Sequence, residues 1–281
     1  MSNILQALLN IAEKPVTALK SHYSSRNTIN NVGEALETYI QDAFAGTISE
    51  KNIEKRNEKI SCTFSYLGNQ NNPPDMILAG GDAIEVKKIQ SYNSAIALNS
   101  SYPKNKLYAD DHKITTACRT CEEWDIKDII YAIGVASDTE LKHLWLLYGD
   151  CYAADREIYT RIGKTIHDGV TQIPDIEFAE TKELGRVNRV DPLGITDLRI
   201  RGMWHIDNPN KTFNYIYTYD DTKNFQLICL MKKEKYESLP SEDREAIENI
   251  ENNNVKIQDI RIKNPNNPVQ LIDAKLLIFK V

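Results

Sequence analysis

The sequence predicts a mixed α/β (α+β) fold: a central mixed β-sheet flanked by helices, in one domain with a β-rich C-terminal part. Three observations lead there. Val32, Ala35, Leu36, Tyr39, Ile40, Ala43 and Phe44 recur at i, i+3, i+4 and i+7, the period of a half-buried helix. Short runs of β-forming residues, bounded by Gly, Pro, Asn or Asp, recur through the middle and the end of the chain. No internal repeat and no linker divides the 281 residues, a length that buries a full core.

The elements follow in order. Residues 2–14 read as a short helix stopped by Pro15, with no cationic leader and no cleavage site of a signal peptide. Residues 21–31 are polar and loop-like. The helix from Val32 takes Asn30 or Asn31 as N-cap and Gly46 as its stop. Residues 50–60 are strongly charged and read as a solvated edge, 61–67 as β, and 69–74 as a loop. Residues 75–78 and 83–87 flank Gly80-Gly81 and predict a hairpin. A long polar connection over 91–108 precedes a helix over 111–123, strands over 129–135 and 143–148, and a helix over 153–167. Residues 171–205 lack periodicity and carry many Arg and Gly. Residues 213–219, with Phe213, Tyr215, Tyr217 and Tyr219 alternating, pair with 225–231 around Asp220-Asp221. Pro240 to Asp243 open a helix with acids in its first turn, and strands over 255–262 and 269–279 finish the chain.

Composition narrows the function. With 41% hydrophobic and 26% charged residues, 12 Gly and 10 Pro, the chain is neither collagenous, disordered nor low-complexity. A net charge of −6 argues against a general polyanion binder of the histone-like kind. The charge is unevenly spread, with −5 in 237–259 and +3 in 85–119. No apolar run reaches bilayer length, so no membrane partner is expected. Gly80-Gly81 lacks the spacing of a phosphate-binding loop, so no nucleotide cofactor is expected. Five scattered cysteines fit a reducing cytoplasm rather than a disulfide framework. Cys118-x-x-Cys121, with His112 or His143, lacks the second ligand pair of a zinc site and reads as a buried helix face. His22, His143, His167 and His205 have no nucleophile-elbow motif to serve.

The informative segment is Pro74-Asp75 followed, after nine residues, by Glu85-Val86-Lys87. Side chains alternate along a strand, so Glu85 and Lys87 share a face. A turn at Gly80-Gly81 sets Asp75 opposite that pair. Two carboxylates and an ammonium then converge. Hard oxygen ligands with open positions suit Mg²⁺, which keeps several waters and accepts phosphate oxygens. A lysine beside the ion holds or deprotonates a water and neutralises charge developing at phosphorus. An incidental Glu–Lys pair is common on strands; the Pro-Asp, the apolar strand, the glycine turn and the upstream helix set this one apart.

These residues resemble the PD-(D/E)xK nuclease signature, and with it the restriction-endonuclease-like core. In that superfamily a preceding helix carries a glutamate four residues after a glycine; Gly33-Glu34-Ala35-Leu36-Glu37 matches, so Glu37 is the aligned residue. Helical geometry agrees, because Glu37 lies at the border of the apolar stripe and Glu34 opposite it. A closer resemblance is to the NgoPII-type family of type II restriction endonucleases. It rests on residues 32–37, Pro74-Asp75, 80–88 and 97–104, and on the spacing of Cys118, Cys121, Trp124 and 128–134. The resemblance implies catalytic Asp75, Glu85, Lys87 and Glu37, with Asp75, Glu85 and the Val86 carbonyl holding Mg²⁺. It implies cleavage of double-stranded DNA at the palindrome GGCC, leaving 5′-phosphate and 3′-hydroxyl ends. It also implies a catalytic core over about 28–170 and a recognition and β-rich part over about 171–281.

Guanine edges are read mostly by Arg or Lys. Residues 182–205 carry a local +2 with Arg186, Arg189, Arg199 and Arg201. Asn99, Ser100, Ser101, Tyr102 and Lys104 follow the catalytic strand and offer phosphate or base-edge contacts. A palindromic target predicts a two-fold homodimer. A structure-specific repair or recombination nuclease, and a non-catalytic DNA-binding protein, are the competing readings.

Overall fold

The computed structural model describes residues 2–23, 32–69, 72–137, 140–250 and 255–281. The N-cap expected at Asn30 or Asn31 lies outside the described residues. Helix α1 (Ile4–Glu13) is capped by Asn3, whose side chain accepts from the Leu5 and Gln6 N–H groups. After α2 (Leu19–Tyr23), α3 (Val32–Ala45) buries Ala35, Leu36, Tyr39, Ile40 and Ala43, the face its periodicity predicts. It ends at Gly46, which takes φ +64°. Residues 50–59 are solvated as expected, but they are helical. They begin α4 (Ile53–Thr63), capped by Asn52, whose side chain accepts from the Lys55 N–H. Only Ile60 of this helix is buried, so no apolar stripe marks it.

Because α4 runs to Thr63, strand β1 is Phe64–Asn69. The loop expected over 69–74 already contains the start of β2 (Asn72–Leu78), whose two prolines precede the residues that pair with the next strand. Strand β3 is Ala83–Ile89. The 91–108 connection is interrupted by β4 (Ile96–Ala97) and β5 (Lys106–Tyr108). The helix expected over 111–123 shrinks to α5 (Thr116–Arg119). Around it side chains take carbonyls that a helix over 111–123 would use: Arg119 donates to Asp111 and Trp124 to Cys118.

Strands β6 (Ile126–Ala136) and β7 (Leu141–Tyr148) are almost wholly buried and longer than expected. A 3₁₀ turn at Gly149–Cys151 leads to α6 (Arg156–Thr171). The segment 171–205 contains β8 (Gly185–Val187), β9 (Leu198–Ile200) and the first residue of β10 (His205–Ile206), followed by α7 (Pro209–Thr212). Residues 213–219 are not a strand: Tyr217 N–H donates to Phe213 C=O, a helical turn. This turns Phe213 and Tyr217 inward against Trp145, with ring centroids 5.8 and 5.9 Å away. Aromatic packing thus overrides the alternation. Strand β11 (Gln226–Lys232), α8 (Lys233–Ser238), α9 (Ser241–Glu248), β12 (Val255–Asn264) and β13 (Asn267–Lys280) complete the chain.

One mixed sheet runs β1-β2-β3-β6-β7-β11-β13-β12, with β5 added to β6. The β3–β6 and β7–β11 pairs are parallel and the other neighbours antiparallel. The central mixed sheet flanked by helices is therefore the observed architecture. Helix α3 packs on β3 and β6. Its approach depends on Gly134, where an added Cβ would lie 2.7 Å from Leu36 Cδ2. Among the described residues, no helix is long and apolar enough to cross a membrane.

Candidate active site

The β2–β3 pairing builds the site. Met76 opposes Ile84 and Ile77 opposes Ala83, which leaves Asp75 facing Glu85. The turn closes with Gly81 N–H donating to Leu78 C=O at 2.8 Å, and Gly80 takes φ +66°. On the other side, β1 crosses Pro74 so closely that a Cβ on Gly68 would lie 2.5 Å from the Pro74 carbonyl oxygen. Only glycine fits there, and it seats the residue before Asp75.

The Val86 N–H donates to Asp75 Oδ2 at 2.6 Å, so one carboxylate oxygen is fixed by the strand itself. Lys87 Nζ donates to Glu85 Oε1 at 2.6 Å. Glu85 is 8% exposed, and its Oε2 is buried without a hydrogen-bond partner. Helix α3 brings Glu37 within electrostatic reach of Asp75, Glu85 and Lys87. Burial and the Glu85 charge push the Asp75 carboxyl up to about 8, against the opposing pull of Lys87 and the Val86 N–H. Burial and Glu85 also raise Glu37. Burial alone lowers the Lys87 ammonium, but Glu85 and Asp75 outweigh it and hold the pKa above the ordinary value. Two buried carboxyls, Asp75 and Glu85, beside one cation, with the Glu85 Oε2 left without a partner, are a pair of oxygen donors that a hard divalent cation relieves. Among the described residues no three His, Cys, Asp or Glu side chains converge as a ready ligand set. A metal here would lean on two carboxylates and complete its shell elsewhere.

The residues expected to contact DNA are differently placed. Asn99 takes φ +53°, and its carbonyl accepts from Trp204 N–H. The Ser100 carbonyl accepts from Lys113, and Ser101 Oγ is buried without a partner. Tyr102 stacks on Tyr159 with centroids 5.5 Å apart. Lys104 is 4% exposed and its ammonium bonds Asp111, so its side chain faces the interior. Arg186 and Arg199 pair in the β8–β9 register and lie on one face of that hairpin, with Arg201 two residues on. Arg186 is bonded to Asp197, and Arg199 and Arg201 to Glu183. Arg189 takes φ +56° beyond the end of β8, its N–H donating to Asp197. Sequence reading missed Glu183 as the centre of this cluster; its partners lie 16 and 18 positions away, where no local spacing shows them. Burial and Cys121 push the Cys118 thiol up to about 12, so Cys118 is a protonated core thiol, and Cys121 Sγ donates to the Cys118 carbonyl.

Known proteins resemble this chain along its length. The profile of the NgoPII restriction endonuclease family matches residues 2–263. The type II restriction enzyme NgoPII of Neisseria gonorrhoeae is 49% identical over 278 residues, covering 99% of this chain and 99% of that protein. No solved structure matches. With a carboxylate–lysine hairpin on a mixed sheet and this likeness along its whole length, the chain belongs to the NgoPII family of type II restriction endonucleases.

Proposed function

We propose that this enzyme is a cytoplasmic, Mg²⁺-dependent homodimer that cuts double-stranded DNA at the palindrome GGCC and leaves 5′-phosphate and 3′-hydroxyl ends. The observation that carries it is the convergence of Asp75, Glu85 and Lys87 around an unpartnered, buried Glu85 Oε2. Asp75, Glu85 and the Val86 carbonyl would hold the ion. When bound, Mg²⁺ supplies charge to stabilise the leaving oxygen of an in-line displacement. Lys87 is a charged donor: its ammonium orients the attacking water and faces the charge developing at phosphorus. Glu37, raised by burial and Glu85, accepts or returns a proton at the edge of the cluster.

Residues of about 28–170 form the catalytic part and about 171–281 the recognition part. The exposed face of Arg186, Arg199 and Arg201, with Arg189 at the turn, supplies guanine or phosphate contacts. Asn99, Ser100, Ser101 and Tyr102 supply phosphate or base-edge contacts. Lys104 contributes through its backbone and through Asp111 rather than by a free ammonium.

Digestion of plasmid DNA with Mg²⁺ or with EDTA, followed by sequencing of the ends, tests the reading. Discrete fragments ending within GGCC, formed only with Mg²⁺, are expected. Asp75→Ala and Lys87→Ala abolish cutting and retain DNA binding. A smear, cutting confined to branched DNA, or wild-type cutting by either variant refutes it.

A further inference from the structure

We infer that Glu122 and Lys127 are positioning residues for cleavage: as a pair they grip the Gly80-Gly81 turn from outside the hairpin and set where Asp75 stands against Glu85. Glu122 Oε2 accepts from the Gly80 N–H at 2.9 Å, and Lys127 Nζ donates to the Gly81 carbonyl at 2.7 Å. Lys127 Nζ also bonds Glu122 Oε1. One donor and one acceptor of the turn are thus held by a single ion pair. Hydrogen bonds to charged partners are roughly twice as strong as neutral ones, and the Lys127 side chain is 7% exposed.

The two strands of the hairpin need this grip unequally. Strand β3 is fixed without it. Seven residue pairs join Ala83–Ile89 to β6, and Asp82, just before them, accepts from the Tyr148 hydroxyl at 2.6 Å and from Lys235 Nζ at 2.9 Å. Glu85 and Lys87 ride on that strand. Strand β2, which carries Asp75, is held loosely. It makes two residue pairs with β3, and two register shifts break its pairing with β1. Asp75 lies beyond the last of the pairs with β3. A ladder this short, closed by two glycines with one at φ +66°, leaves its turn wide conformational freedom. The other hold at the end of β2 is the Ala79 N–H, which donates to the Thr63 carbonyl at 2.9 Å where α4 ends.

Lys127 lies on β6, two residues before Ile129, the partner of Ala83. It therefore ties the end of β2 to the same strand that fixes β3, and both carboxylates take their places from β6. The pair is neutral as a whole, so it acts on Asp75 through geometry rather than through a net charge. The inference rests on the proposed roles of Asp75 and Glu85.

The test is amide exchange without Mg²⁺ or DNA, because the Val86 N–H is protected by Asp75 Oδ2. Peptides ending on either side of Val86 resolve it by mass spectrometry. In Glu122→Ala and Lys127→Met its exchange rises by about 10-fold, while amides of β7 and β11 exchange as in the wild type. Single-turnover cleavage falls by about 10-fold or more, and DNA affinity in EDTA is unchanged. Glu122→Gln, which keeps an acceptor for the Gly80 N–H, regains most of the protection and of the rate. Glu122 is partly exposed, so its variants fold even where loss of the buried Lys127 does not. Wild-type protection at Val86 in Glu122→Ala overturns the inference. So does faster exchange throughout the sheet, the sign of a merely structural role, or a Glu122→Gln protein no better than Glu122→Ala. Wild-type cutting by Asp75→Ala instead refutes the proposed site, so the two failures are read separately.

Discussion

Replacing His143 with phenylalanine stabilises this protein, and most strongly in acid. His143 is fully buried on β7, between Val135 and Gln226 of the neighbouring strands. The rings of Tyr92, Trp145, Tyr217 and Tyr219 surround it with centroids 5.3 to 5.9 Å away. Neither ring nitrogen has a hydrogen-bond partner. Burial, aided by Lys280, pushes its pKa down to about 3, from an ordinary 6.5. The folded protein therefore refuses a proton that the unfolded chain accepts. The stability tied to the neutral ring is intact above pH ~6.5 and is lost as the pH falls toward the folded value. At about 1.36 kcal/mol per unit, a shift from pH 7 to pH 5 costs about 2 kcal/mol through this residue alone. Phenylalanine keeps a ring in the aromatic cluster, does not titrate, and removes two unpaired nitrogens whose burial costs roughly 1–3 kcal/mol. Urea unfolding of both proteins at the two pH values measures the difference. The variant is more stable at pH 7, and its advantage grows by about 2 kcal/mol at pH 5. A variant less stable at pH 7, or an advantage that does not widen, refutes the reasoning.

Gly134→Ala forces a methyl group to 2.7 Å from Leu36 Cδ2 and 3.1 Å from Leu141 Cδ1. It lowers stability by about 1–3 kcal/mol and slows cleavage by moving α3 and Glu37, as melting curves and single-turnover rates check. Asp243→Ala strips the partner from buried Asn3 Nδ2, which donates to it at 2.6 Å, and from Gln6. It costs about 1–3 kcal/mol and leaves the cleavage rate per folded molecule unchanged. Mg²⁺ raises the melting temperature of the wild type by mass action, and Asp75→Asn loses that response; an Asp75→Asn protein that responds fully is evidence that Asp75 is no ligand.

Local chemistry was legible where one face of an element is buried. The stripe of α3, the glycine turn before β3, and the acidic start of α9 all follow from residues a few positions apart. So does the hairpin of Asp75, Glu85 and Lys87, which spans only thirteen positions. Helix α4 was not legible because it buries a single side chain, and its one signal was the Asn52 cap. The aromatic alternation after α7 misled because a cluster centred on Trp145 and His143 decides those side chains. The fate of Lys104 was equally hidden: its ion pair with Asp111 forms across a turn that spacing does not reveal. Strand order, with β13 between β11 and β12, is set by long-range pairing and has no local sign.

The arginine face of the β8–β9 hairpin has a consequence for salt. Arg186, Arg199 and Arg201 are 41 to 55% exposed, and each already holds a carboxylate. Glu183 and Asp197 act there as resident counter-ions. A DNA phosphate that takes one of these arginines sheds a condensed cation, but it also evicts a tethered carboxylate, which recruits cations of its own and offsets that release. Exposed pairs of this kind hold by about 0–1 kcal/mol, so the exchange is cheap. If DNA binds through these arginines, the salt dependence of binding is shallower than three free arginines would give. An incorrect sequence, offering phosphates without matching base edges, has little with which to drive the exchange.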